Sequence, residues 1–190
     1  MITDIAKKIT AKLTKCNYIQ TEDKELYEYG IFLLMSRIIY AVFTVLVGII
    51  LGCFWESIIF YISFSVLRKY AGGFHASSEK RCLLFSTTSI IISLIFITFS
   101  EIYSIAVPGL VLAVFATTTI FLWAPVDSKE KPLNNNEKKK FRKTALIIST
   151  MYLLGVVVTF IVDFNIVFYP ISSAIILESI LIFLSKLKLC

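Results

Sequence analysis

An all-α polytopic membrane protein, with about six transmembrane helices and an N-terminal amphipathic interfacial helix, is the fold class this sequence predicts. Three observations carry that expectation. Hydrophobic residues make up 57% of the 190 and charged residues 17%, with a mean hydropathy of +0.82, whereas a soluble domain holds about 45–50% apolar and about 25% charged residues. The apolar excess is gathered into long runs. The lysines and arginines, in turn, fall on alternate connections between those runs.

Residues 1–15 form the first element. Ile2, Ile5, Ala6, Ile9 and Leu13 fall on one helical face, with Lys7, Lys8, Lys12 and Lys15 largely on the other. Such a helix suits the headgroup region of a bilayer, drawn by apolar burial and anionic lipid, and residues 1–30 read as a cytoplasmic or interfacial segment. The same face could instead meet a partner peptide. The alternation of charge with apolar residues leaves no continuous h-region for a cleavable signal peptide.

The spans follow. Ile31–Trp55 is interrupted only by Arg37, and Ser57–Leu67 is short for a crossing. Leu83–Ser100, Ile102–Val126 and Thr144–Val162 are free of charge, and Phe164–Leu184 carries Glu178 inside. Pro108-Gly109 predicts a kink near the outer end of the fourth span. Six crossings put all but Arg37 of the 19 basic residues on one side, which the positive-inside rule makes cytoplasmic. Four or five crossings break the alternation. Both termini then lie in the cytoplasm, as does a basic loop over 127–143 that holds Lys129, Lys131, Lys138, Lys139, Lys140, Arg142 and Lys143. Arg37 and Glu178, charges within spans, call for partners inside the bundle.

Cys16, Cys53, Cys82 and Cys190 are widely spaced, so neither a disulfide framework nor a structural zinc site is expected, and no cofactor motif is present. The single histidine, His75, lies in Arg68–Cys82 (RKYAGGFHASSEKRC), between the second and third spans. Gly72-Gly73 is a poor helix interior and a good bend. Ser77 or Ser78 can cap a new helix, with Cys82 in or just after its first turn, at the positive end of the helix dipole beside Lys80 and Arg81. On one unbroken helix the seven positions from His75 to Cys82 span about 10 Å, too far for proton transfer; a bend shortens the gap. A Cys/His pair is the minimal machinery of acyl transfer, with the imidazole first activating the thiol and then protonating the leaving amine. Spacing alone leaves open the plainer reading of a structural histidine and a space-filling cysteine.

Arg68, Gly72, Gly73, His75, Ala76 and Cys82 together form R-x-x-x-G-G-x-H-A with a following cysteine. This segment resembles the accessory gene regulator B family. Ala124-Pro125-Val126 followed by Lys129-Glu130-Lys131-Pro132 is similar to the family's proline and lysine element between spans four and five, with Glu130 departing from the lysine run of some members. The resemblance covers nearly the whole chain as a single domain, 1–190. It implies a membrane cysteine endopeptidase of bacterial quorum sensing, which cuts the acidic C-terminal tail from a small amphipathic propeptide and cyclises the remainder to a thiolactone or lactone. It implies Cys82 as nucleophile and His75 as base in a catalytic segment 68–82, a homodimeric state, and site-shaping or substrate-binding roles for Arg68, Gly72, Gly73, Ser78, Lys129 and Lys131. Glu79 is the one acidic residue between His75 and Cys82, a candidate orienter. Two other classes compete: a small membrane transporter or peptide exporter component using Arg37 and Glu178, and a membrane-embedded sensor that binds peptide without chemistry.

Overall fold

The computed structural model describes residues 2–73, 79–126 and 134–187. Seven α-helices run through them: α1 (Ile2–Lys15), α2 (Lys24–Leu51), α3 (Phe54–Ala71), α4 (Glu79–Ile102), α5 (Ala106–Trp123), α6 (Asn135–Ile161) and α7 (Asn165–Lys186). The chain is an all-α, multi-pass membrane protein, and five of the described helices are long and apolar enough to cross a bilayer. The exception among the predicted spans is α3. Its 18 residues reach about 27 Å, close to the hydrocarbon thickness of about 30 Å, but Glu56, Arg68 and Lys69 lie within it.

Two compact units divide the chain at Phe43/Thr44. In the first, α1 buries Ile2, Ala6 and Thr10, a stripe at every fourth residue, while Ile5 and Ile9 of the expected apolar face stay exposed. Thr10 is buried without an unpaired hydroxyl because its Oγ1 donates to the Ala6 carbonyl at 2.9 Å.

In the second unit α7 is the axis, packed against α3, α4, α5 and α6. Its buried face alternates small residues (Ser172, Ser173, Ala174) with large ones (Phe168, Ile175, Ile182). Small residues let helix backbones approach closely where lipid supplies no hydrophobic drive between helices. The outward faces of the neighbouring helices expose Ile92, Phe115, Leu122, Met151 and Leu154. A contiguous apolar exterior of this kind belongs in lipid.

Three boundaries differ from the sequence expectation. The first span stops at Leu51 rather than Trp55, because the Cys53 N–H turns back to the Gly48 carbonyl (2.8 Å) and Trp55 falls in the first turn of α3, which opens at Phe54. Pro108 is no mid-helix kink. It lies in the first turn of α5, where its missing N–H forfeits no intrahelical bond. The basic stretch from Lys138 to Lys143 is not a loop. It forms the opening turns of α6, started by a capping box in which the Asn134 side chain accepts from the backbone while the Asn134 N–H donates to Glu137 Oε2 at 3.0 Å.

Candidate active site

The site grows from the end of α3. Arg68 sits in its last turn, and the helix stops at Ala71 because Gly72 and Gly73 take φ of 77° and 121°. Both values are open to glycine and strained for any other residue. Space excludes a side chain as well. A Cβ on Gly72 would strike the Val126 carbonyl oxygen, and one on Gly73 would strike Arg68 Nη1. The bend is held from two directions. Arg68 Nη1 donates to the Gly72 carbonyl at 2.7 Å. From the other side the Val126 N–H donates to the Ala71 carbonyl at 2.9 Å, forming an isolated parallel bridge between Gly72 and Val126. The two stretches singled out in the sequence, the glycine bend and Ala124-Pro125-Val126, are therefore one structure. The latter carries a cis Ala124–Pro125 bond.

α7 supplies the third component. Glu178 is fully buried, the one buried charged residue among those described, and its Oε1 lies 3.7 Å from Arg68 Nη1. That is an ion-pair distance, longer than a hydrogen bond, and neither carboxylate oxygen accepts a hydrogen bond among the described residues. The acid foreseen as needing a partner thus has one in Arg68. Arg37 belongs to the other compact unit.

Cys82 is the fourth residue of α4, in its first turn, half-buried and unoxidised. Of the other thiols, Cys16 is exposed in the first unit and Cys53 is buried in the turn before α3. His75, Ser77 and Ser78 lie outside the described residues, as do Lys129, Lys131 and Cys190.

Beside the bend opens a cleft of about 520 Å³. Trp123, Ala124 and Pro125 form one wall, while Asn135, Lys138, Lys139 and Arg142 of α6 and Lys186 of α7 bring four cationic side chains to it. Lys140 and Lys143, although in the same basic run, do not line it. Sequence reasoning missed both this division and the start of α6. The Asn134-x-x-Glu137 spacing was the available signal for the latter. It also left open which cation Glu178 would meet.

The family model for accessory gene regulator B matches residues 6–182. A protein named AgrB-like from Clostridium perfringens strain SM101 is 33% identical over 171 residues, covering 87% of this chain and 80% of the relative. A second from C. perfringens strain 13 is 33% identical over 174 residues with the same coverage. An AgrB-like protein of Listeria innocua is 26% identical over 138 residues, 71% of this chain and 67% of its own. No solved structure gives a significant match. A polytopic helical bundle, a glycine bend pinned between Arg68 and Val126, and a match along nearly the whole length lead to one assignment: the chain belongs to the accessory gene regulator B family, membrane proteins of quorum-sensing peptide processing.

Proposed function

We propose that this protein is a cysteine endopeptidase and cyclase that uses Cys82 as nucleophile and His75 as base to remove the C-terminal tail of a small autoinducer propeptide. The observation that carries the reading is the position of Cys82: a half-buried free thiol in the opening turn of α4, on the far side of a connection that leaves the Gly72-Gly73 bend and holds the chain's only histidine. In the first step the thiol proton passes to the His75 imidazole and sulfur attacks the scissile carbonyl. Collapse of the tetrahedral adduct forms a thioester on Cys82 and breaks the peptide C–N bond. The tail leaves as an amine, taking its proton from the imidazolium. An internal cysteine or serine of the peptide then attacks the thioester. Its proton returns through His75 to Cys82, and the ring closes as a thiolactone or lactone. Thioester exchange between two thiols is nearly balanced in energy, so the ring is kept only if water stays away from the acyl-enzyme.

Charge supports the rest of the reading. The cleft of Lys138, Lys139, Arg142 and Lys186, with Lys129 and Lys131 on the adjoining connection, suits an acidic peptide tail and brings it to the same edge of the bundle as the bend. The asymmetry of lysine and arginine favours a cytoplasmic location for both termini, residues 68–82 and the start of α6, with α3 as the sixth crossing. The working form is a homodimer, with α1 at the anionic headgroup layer.

Purified protein in proteoliposomes, mixed with a synthetic propeptide, tests the chemistry. The wild type is expected to release the tail and to carry a hydroxylamine-labile acyl group detectable by mass spectrometry. Cys82→Ser and His75→Gln should abolish release, whereas Cys16→Ala, Cys53→Ala and Cys190→Ala should remain active. Normal processing by Cys82→Ser removes the mechanism.

A further inference from the structure

A fully buried carboxylate in a lipid-embedded bundle needs a reason. Stability is a poor one. A buried ion pair rarely outperforms a well-packed apolar pair of the same volume, because desolvation offsets the attraction. Arg68, only partly buried at 21% exposure, could also reach water by itself. What the pair does achieve is geometric. A single nitrogen, Arg68 Nη1, lies 2.7 Å from the Gly72 carbonyl and 3.7 Å from Glu178 Oε1, and it fills the space where a side chain on Gly73 would stand. Glu178 is on α7, the helix that touches α3, α4, α5 and α6 and is therefore the best-fixed reference in the unit. It also sits one turn from Leu181, whose Cβ lies 3.5 Å from that same Gly73 position.

We propose that Glu178 is a positioning residue: acting through Arg68, it fixes the exit direction of the Gly72-Gly73 bend, from which the sequence runs on to His75 two residues later. The inference rests on the cysteine-peptidase reading above. Without Glu178, Arg68 keeps its bond to the Gly72 carbonyl but loses the charge that anchors its guanidinium to the bundle axis. The bend then keeps its bridge to Val126 but loses its ionic tie to α7. Because the role is indirect, the chain should still bind its peptide when Glu178 is neutralised. The chemical step is what should suffer, since an error on the order of 1 Å in a reacting group is worth about 100-fold in rate.

The test uses full-length protein in proteoliposomes with a synthetic propeptide, comparing Glu178→Gln, Glu178→Asp, Arg68→Gln, the Arg68→Gln/Glu178→Gln double variant and Cys82→Ser. Glu178→Gln is expected to lower kcat about 100-fold with KM within about twofold. Glu178→Asp, which keeps the charge, should retain a larger kcat than Glu178→Gln. The double variant should be no slower than Arg68→Gln alone, because both changes interrupt one chain of contacts. Equal losses in the Asp and Gln variants, additive losses in the double variant, or a kcat unchanged in Glu178→Gln while Cys82→Ser is dead would each overturn the positioning role and leave the peptidase reading standing. Activity in Cys82→Ser would overturn the peptidase reading itself. If Glu178→Gln does not insert, the comparison of Asp with wild type and of Arg68→Gln with wild type decides: a KM that rises with kcat unchanged in both marks a binding or structural role and refutes the proposal.

Discussion

Gly73→Ala is the most informative single change at the bend, because two separate penalties meet there and they can be told apart. The first is conformational. At φ 121° an alanine pays about 1–3 kcal/mol of backbone strain. The second is steric. The new Cβ occupies the place of Arg68 Nη1, so the guanidinium must swing aside and give up its bond to the Gly72 carbonyl, a charged hydrogen bond worth about 1.5–3 kcal/mol. Together these come to roughly 2.5–6 kcal/mol, or about two to four orders of magnitude in the population of the native bend at 1.36 kcal/mol per tenfold. The obstacle at Gly73 is the end of a flexible side chain, and the obstacle at Gly72 is the rigid Val126 carbonyl. Gly73→Ala should therefore yield a folded, inserted protein with a severe loss of kcat, whereas Gly72→Ala should also break the bridge to Val126 and lower the unfolding midpoint. The assay is propeptide cleavage in proteoliposomes paired with thermal unfolding in detergent. Removing the obstructing guanidinium should blunt the steric penalty, so Gly73→Ala measured in an Arg68→Gln background should cost less than in the wild type. If Gly73→Ala stays within twofold of wild type in kcat, or costs as much in the Arg68→Gln background, the bend is not held as described.

Two further outcomes follow from the same geometry. Neutralising the lining residues Lys138, Lys139 and Arg142 with glutamine should raise KM for an acidic-tailed propeptide and flatten its salt dependence, whereas the same change at Lys140 and Lys143 should do neither; unchanged KM and salt dependence in the lining set mean the run acts only as a topology signal, and equal increases from the two sets refute recognition by the cleft. Single cysteines at Glu56, Glu101 and Asp163 should react with an impermeant thiol reagent in intact cells and one at Asn135 should not, so external labelling at Asn135 overturns the cytoplasmic assignment.

How much of this was legible in the sequence depends on the range of the interactions involved. Local signals read well. Apolar runs and charge alternation located every helix, and Gly72-Gly73 announced the bend that ends α3. Boundaries were less legible where a charged stretch could belong either to a loop or to a helix end. Six residues from Lys138 to Lys143 look like a cytoplasmic loop by composition, yet the Asn134/Glu137 cap starts α6 ahead of them. Composition reports solvent, and a helix projecting past the bilayer is as polar as a loop. Pairing between distant elements was not legible at all. Nothing local says that Val126 will donate to Ala71, or that Glu178 will face Arg68 rather than another cation, because those contacts are set by how α3 and α5 each pack on α7.

The interior polar groups sort the molecule into what packs and what acts. Several hydroxyls on the buried faces are satisfied within their own helix: Thr117 Oγ1 donates to the Ala113 carbonyl at 2.8 Å and Ser172 Oγ to the Phe168 carbonyl at 2.7 Å. Such groups make no demand on a neighbouring helix, and small hydroxyl residues are suited to close packing in lipid for that reason. Glu178 is of a different kind. A carboxylate cannot donate to its own backbone in the ionised form, and an acceptor buried on a central helix must find its cation on another element. The cation it meets belongs to the residue that also holds the glycine bend, and the opposite side of that bend is held by Val126, next to the Ala124 and Pro125 that wall the basic cleft. The buried charge, the glycine bend and the basic cleft thus share one edge of the bundle.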